Sequence, residues 1–396
     1  MLLKFLLVDQ WLQKSFVALP LSWHWPFPIL VSDGYNFFLW YWSVYFLTEK
    51  TEWDVTRFAD RVKNVRPRAD GNNSTEDTRL AKFFTNPHFG DVDEPSTILD
   101  RHGRIMVWYL PGIFPPHRVV CIWFGLNIWF LNYWADRFNG RYQNSQTAVG
   151  RFYAVMYDGR RCLAQQQFLT ATWRWWIWCW GVEHVSWMVS AISWSESFWS
   201  PNFLWFVHFF SLWLKQLHEK IYVSSDIRSD DAANFLQATA STNLIVNAIT
   251  ALIAPQQYDA GLAAIQLLKD GMHLHNTHPN LDHWTSVWSG CAMIVNRKTF
   301  LHRDLGAAPM DYDLLFSSGT HDQCMLDVHD LGLRLLYLPG TAVAIAGKVL
   351  RHGVKTWDGG ERICQAWFMK DAVHDRLGQQ RPAWVCHEDY LGLLTW

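Results

Sequence analysis

The sequence predicts an α+β fold: a double-stranded β-helix, or small jelly roll, backed by helices and preceded by a Trp-rich irregular half. Three observations predict it. Short apolar stretches separated by Gly, Pro and Asp turn signals fill the region after Trp284. Helix start and stop signals fill residues 229–271 just before it. Of the 26 Trp, 20 lie before residue 216, in runs with no sustained period of two or 3.6.

At 396 residues, half of them apolar, the chain has material for one large domain or two ordinary ones. The 34 Lys and Arg against 36 Asp and Glu give a formal charge of −2, which excludes a generally basic nucleic-acid coat protein or an acidic tail protein. The Trp content and the 18% share of charged residues exclude intrinsic disorder as the main state. Seven Cys without a C-x-x-C pair argue against a secreted disulfide framework and favour a reducing compartment. The apolar start Met1–Val8 is interrupted by Asp9, Gln10, Gln13 and Lys14, so no secretion signal is read there.

The chain divides into four regions. Residues 1–96 begin apolar and continue as a short helix and a polar linker around Gly71-Asn72-Asn73-Ser74. Residues 97–216 hold a β-hairpin, Ile98 to Leu110 with its turn at His102-Gly103, followed by Trp-rich insertions. The runs at 119–134 and 198–214 are nearly free of charge but fall short of the roughly 20 residues of a spanning helix. They read either as membrane segments or, preferably, as interruptions of an ordinary soluble fold by translated non-coding sequence. No clear membrane partner is expected.

Residues 217–384 follow regular grammar, and residues 385–396 are a tail. Ser229 or Asp230 can cap a helix to about Ala240, Thr242 or Asn243 a second to Ala254, and Pro255 starts a third that ends at Lys269. Strands are expected at Val287–Val295, Tyr312–Phe316, Cys324–Val328, Leu333–Leu338, Ala342–Ala346 and Ile363–Phe368.

This β-rich stretch carries the chemistry. His302-Arg303-Asp304 is followed 48 residues after the Asp by His352, and Arg362 comes ten residues later. Two imidazoles and a carboxylate on one face of Fe(II) leave positions for a bidentate 2-oxo acid and molecular oxygen. In an extended segment residues i and i+2 share a face, so His302 and Asp304 can converge on a metal while Arg303 turns away. Arg362 offers a planar fork for the far carboxylate of 2-oxoglutarate. H-x-D alone recurs by chance among 17 His, so the signal is the ordered set. His273, His275, His278 and His283 lack regular ligand spacing and read as structural or exposed, while His321-Asp322 and His329-Asp330 read as polar loop residues.

The run Asn296-Arg297-Lys298-Thr299-Phe300-Leu301-His302-Arg303-Asp304, the stretch Asp311 to Thr320, Pro339-Gly340-Thr341 through Arg351-His352-Gly353-Val354, and Gly360-Glu361-Arg362-Ile363 together resemble the TET/JBP-type 2-oxoglutarate dioxygenases of mushroom-forming fungi. The likeness covers about residues 217–384 and the hairpin at 97–116. It implies Fe(II) and 2-oxoglutarate as cofactors, metal ligation by His302, Asp304 and His352, and cosubstrate binding by Arg362. It further implies nucleic acid, DNA by preference, as partner, oxidation of a methyl group such as that of 5-methylcytosine or thymine, and a nuclear location. By the same resemblance Arg297 matches an arginine that faces a flipped base, and Ala307 stands where an acidic residue is expected. Lys298, Arg303, Arg334, Lys348, Arg351 and Lys355 are candidates for a phosphate-binding rim.

Two other functions stay open. Ser289 to Val295 and Gly319-Thr320-His321-Asp322 mimic segments of a nucleotide-sugar glycosyltransferase, although no nucleotide-binding front half precedes them. A decayed, transposon-associated copy without activity would account for the anomalous first half.

Overall fold

The computed structural model describes residues 48–62, 90–114, 119, 205–207, 220–224, 227–228, 232–304 and 306–391. They belong to one compact unit, residues 1–122 and 205–396. The predicted Trp-rich runs at 119–134 and 173–214 lie almost wholly outside these residues, as do the linker at 63–89 and the end of the tail.

Among the described residues fourteen strands form two sheets. In chain order they are β1 Thr48–Lys50, β2 Gly90–Val92, β3 Ser96–Leu99, β4 Ile105–Leu110, β5 Trp205–Val207, β6 Gly290–Val295 and β7 Thr299–His302. Then come β8 Asp313–Gly319, β9 Gln323–Val328, β10 Leu333–Leu336, β11 Ala342–Ile345, β12 His352–Val354, β13 Trp357–Asp358 and β14 Arg362–Phe368. The large sheet runs β1-β3-β4-β11-β8-β14-β6-β5, and the small one runs β2-β10-β9-β12-β7 with β13 beside β9. The α+β jelly-roll core read from the sequence is therefore present, with the hairpin β3–β4 built into its large sheet between edge strand β1 and β11.

Alternation along the strands divides the large sheet into two faces. Val343 of β11 lies between Tyr109 and Leu315, and Ile345 is paired with Val107. All five join Leu326, Val328 and Leu335 of the small sheet in one buried cluster, so the core lies between the sheets. The opposite face meets the helices α3 Ala240–Ile253 and α4 Pro255–Lys269, whereas α1 Val55–Val62 joins the cluster between the sheets and α2 Ala232–Ala238 packs beside α3. There Trp367 Nε1 donates to Asn243 Oδ1 at 3.2 Å, and Trp288 Nε1 to Thr250 Oγ1 at 3.1 Å. Gln257 binds Tyr312 twice, Nε2 donating to its carbonyl at 2.9 Å and Oε1 accepting from its N–H at 3.0 Å. Both faces are covered, which is why β4 reads as the unbroken apolar run IMVWYL and is buried at every position.

The third helix keeps the bounds its Pro255 start and Gly271 stop predict. The second begins at Ala240, two residues before the expected cap. Its physical reason is that Asn243 is engaged in tertiary contacts, its Nδ2 donating to Thr285 Oγ1 at 3.1 Å while its Oδ1 takes the Trp367 indole. The first expected strand starts at Gly290 rather than Val287, because Ser286 Oγ accepts the Trp288 N–H and Ser289 Oγ accepts the Lys370 N–H, holding 286–289 as a loop. Among the described residues no single helix is long and apolar enough to cross a membrane; the bent pair α2–α3 passes only by length and composition, and nine residues of α3 are buried.

Candidate active site

Strands β7 and β12 pair antiparallel with His352 directly opposite His302. Asp304 follows two residues beyond His302, where the chain leaves the strand and its N–H donates to Gly347 O at 3.0 Å. His302, Asp304 and His352 each offer a ligand atom, and these atoms lie within 4.8 Å of one another. Asp304 Oδ1 is 3.5 Å from His302 Nε2, and its Oδ2 is 3.3 Å from His352 Nε2.

The tautomers suit a metal. His302 Nδ1 lies 2.9 Å from Phe300 O and His352 Nδ1 lies 3.0 Å from Leu350 O, so each Nδ1 is assigned the proton that a carbonyl accepts. Each Nε2 then carries a lone pair toward the shared space. The His352 side chain is 3% exposed, whereas His302 is 41% and Asp304 36% exposed. One wall of the site is thus sealed by the core and the other opens outward.

Burial pushes the Asp304 carboxyl up, but the His302 and His352 imidazoles outweigh it and hold the group well below the usual carboxylate range. For His302 burial pulls down, and the Asp304 carboxylate overrides it and raises the imidazole. Asp313, buried behind the cluster, is pushed well up by burial and by the neighbouring Asp304 and Asp311 carboxyls. Gly347 makes this crowding possible, since a Cβ there would lie 2.9 Å from Asp304 Oδ2 and closer still to Asp313 Oδ2. Two imidazoles and one carboxylate with an open side match the donor set of a facial Fe(II) site.

Arg362 opens β14, opposite Gly319 of β8, and is 2% exposed. Its Nη1 donates to Arg297 O at 3.1 Å, and the guanidinium lies 5.9 Å from the Tyr337 ring centroid and 6.0 Å from that of Trp357. Its Nε has no hydrogen-bond partner. Burial pushes the Cys324 thiol up to about 11 despite the adjacent guanidinium, so that cysteine does not supply a counter-charge. A buried guanidinium in this condition fits an anionic ligand such as a carboxylate.

Other expected residues fall differently. Arg297 and Lys298 are exposed on the turn into β7. Arg303 does turn away from the metal cluster, but it does not reach a phosphate-binding rim. It is bound from below: Nη2 meets Asp330 Oδ2 at 2.9 Å, Nε donates to Val349 O at 3.0 Å, and the guanidinium covers the Phe58 ring at 5.4 Å. Arg351 lies on the same Asp330, Arg334 pairs with Asp91 at 2.6 Å, Lys355 pairs with Asp327 at 2.9 Å, and Lys348 is buried. Ala307 is buried, its N–H donating to Asp304 O at 3.3 Å.

Sequence reasoning missed two polar groups. Asp330 is not a loop carboxylate but a buried one that also accepts the Arg351 N–H at 2.8 Å. His321 is buried in the β8–β9 turn, with Nε2 3.0 Å from Tyr337 O and Nδ1 3.1 Å from Glu361 O. The Gly319–Asp322 segment that mimics a glycosyltransferase motif is this turn. The one signal for Asp330 is Arg303 itself, a cation forced inward by the H-x-D spacing and in need of a counter-charge.

Residues 220–371 match the family model of the TET/JBP oxygenase domain of the 2OGFeDO superfamily. No curated protein matches the chain. Among solved structures it is similar to one described as NgTET1 in complex with 5mC DNA, at 12% identity and a TM-score of 0.39, over 86% of this chain and 99% of that one. Residues 220–371 are thus an oxygenase domain of the 2OGFeDO superfamily, of TET/JBP type, and the chain is a dioxygenase that uses Fe(II) and 2-oxoglutarate.

Proposed function

We propose that this dioxygenase oxidises the methyl group of a modified base in nucleic acid, of 5-methylcytosine or thymine type, with DNA as the partner and the nucleus as its place of action. The observation that carries the reading is the half-open His302–Asp304–His352 cluster, with the exposed cations Arg297 and Lys298 on the turn that enters the same strand. TET/JBP-type membership of residues 220–371 supports it.

In this reading His302, Asp304 and His352 hold one face of the metal, and Arg362 holds the far carboxylate of the cosubstrate. Bound iron and 2-oxoglutarate would let molecular oxygen act as the oxidant, one of its atoms going to the methyl group and the other to the succinate formed with CO2 from the 2-oxo acid. The protein's contribution is placement and exclusion of water. His352 and Arg362 are sealed by the core, so chemistry is confined to the side that His302 and Asp304 leave open. A base within a duplex cannot reach that opening, so the nucleotide flips out at a cost of a few kcal/mol, with Arg297 placed to meet it. Ala307 offers no acidic contact to the base, which leaves base choice to other groups.

Mass spectrometry of oxidised bases, after incubation of methylated DNA and RNA oligonucleotides with the full chain, Fe(II) and 2-oxoglutarate, tests the proposal. Hydroxymethylated product is expected, together with succinate, and both are lost in His352→Ala and Arg362→Ala. Succinate without any oxidised base rejects nucleic acid as substrate. Neither product from a folded, iron-loaded protein indicates a decayed copy.

A further inference from the structure

Asn296 is where the β6–β14 ladder ends. Its N–H still donates to Arg362 O at 2.8 Å, as the next strand residue would. Its backbone then enters the left-handed region at φ 48°, the one positive φ outside glycine among the described residues. Asparagine tolerates this conformation because its short amide can bond locally. Here the side-chain Oδ1 accepts the Arg362 N–H at 2.9 Å. The same turn brings the following carbonyl, Arg297 O, within 3.1 Å of Arg362 Nη1. One turn therefore grips Arg362 at both its backbone and its guanidinium.

Two donors are left over. Asn296 Nδ2 and Arg362 Nε have no hydrogen-bond partner, although both residues are only 2% exposed. Buried donors in folded proteins are almost always paired, and those that are not point to a missing ligand or water. Orphan donors on two cross-strand neighbours match a planar group with two acceptor oxygens. We infer that Asn296 Nδ2 and the Arg362 guanidinium form a joint clamp for the far carboxylate of the 2-oxo diacid, with Asn296 as a second binding residue. This inference rests on the reading of Arg362 as the cosubstrate anchor.

Calorimetric titration of 2-oxoglutarate into the full chain loaded with Mn(II), a redox-inert probe, tests it without turnover. Arg362→Ala is the control for the anchor: if it binds as tightly as wild type, the underlying reading fails as well. Asn296→Asp keeps the tolerance of positive φ and the Oδ1 acceptor, but puts a second carboxylate oxygen where the donor was. It is expected to weaken 2-oxoglutarate binding roughly tenfold or more at an unchanged melting temperature. Asn296→Gly keeps the backbone conformation, loses the donor, and is expected to weaken binding in the same direction. Pyruvate, which lacks the far carboxylate, should bind all three Asn296 forms alike. Wild-type affinity for 2-oxoglutarate in the Asp or the Gly variant, with Arg362→Ala impaired, reduces Asn296 to a turn residue and overturns the clamp.

Discussion

His302 and His352 face each other across the β7–β12 ladder, their ring centroids 4.6 Å apart and their planes inclined by 46°. Two residues of the His302–Asp304–His352 cluster, distant in sequence, thus meet at a single register point. A slip of one residue would turn either imidazole to the opposite face of the sheet. Gly353 protects the register, because a Cβ there would stand 2.6 Å from Thr299 O and 3.0 Å from Phe300 O. Both obstacles are backbone, so the strands would have to separate. Gly353→Ala is expected to lower Co(II) affinity at least tenfold, read from the visible absorption of the bound ion, and to destabilise the fold by about 1–3 kcal/mol. Unchanged Co(II) binding would show that the pairing tolerates a side chain.

Arg303 lies inside the H-x-D motif but acts on stability. Its partner Asp330 is fully buried, and removing the guanidinium leaves that carboxylate with the Arg351 N–H and a 3.8 Å contact to Arg351 Nε. Arg303→Met should destabilise the protein by about 3 kcal/mol in urea unfolding. Iron affinity of the fraction that stays folded should match wild type. A loss of iron affinity without a loss of stability would contradict this assignment.

Gln257 joins helix and sheet through both main-chain groups of Tyr312. Gln257→Leu preserves bulk but leaves a buried N–H and C=O unpaired, with an expected loss of about 2–4 kcal/mol. Hydrogen exchange at the Tyr312 amide should accelerate more than exchange within β14. Equal acceleration in both would mean global unfolding rather than a local clamp.

Stability should fall in acid through His374. Burial pulls its imidazole down to about 4, from an ordinary value of 6.5. Between these values the unfolded chain binds a proton and the native one does not, so this contribution is complete above pH 6.5 and is lost as pH falls toward 4. The slope is about 1.4 kcal/mol per pH unit. His374→Gln should flatten the profile, so that the free-energy gap between wild type and variant narrows from pH 7 to pH 4.5. A gap independent of pH would show that His374 does not contribute.

The legible parts of the fold are those in which one physical pressure dominates. Strands β8, β9, β11 and β14 are apolar runs bounded by turns, and Gly319, Gly332 and Gly340 occupy those turns at φ values of 115°, 65° and 95° that other residues resist. His302, Asp304, His352 and Arg362 could be read because their residue types and order imply a single chemistry. Strands β7 and β12, which carry two of these residues, are four and three residues long and show no sustained alternation, so nothing local marks their pairing. Asp330 and His321 escaped notice because burial of a polar side chain is decided by what folds over it. Edge strands β1 and β2 are three residues each and are defined only by the sheet margins they complete.

Those two margins carry a practical consequence. Between them, residues 48–92 add one strand beside β3 in the large sheet and another beside β10 in the small sheet, and the intervening helix Val55–Val62 contributes Val55, Phe58 and Val62 to the buried cluster. Expressing the family-matched stretch 220–371 by itself would discard this brace and the β3–β4 hairpin, stripping β11 of one neighbour. Such a fragment should emerge insoluble, whereas co-expression with residues 48–114 as a separate polypeptide should restore a soluble two-piece assembly.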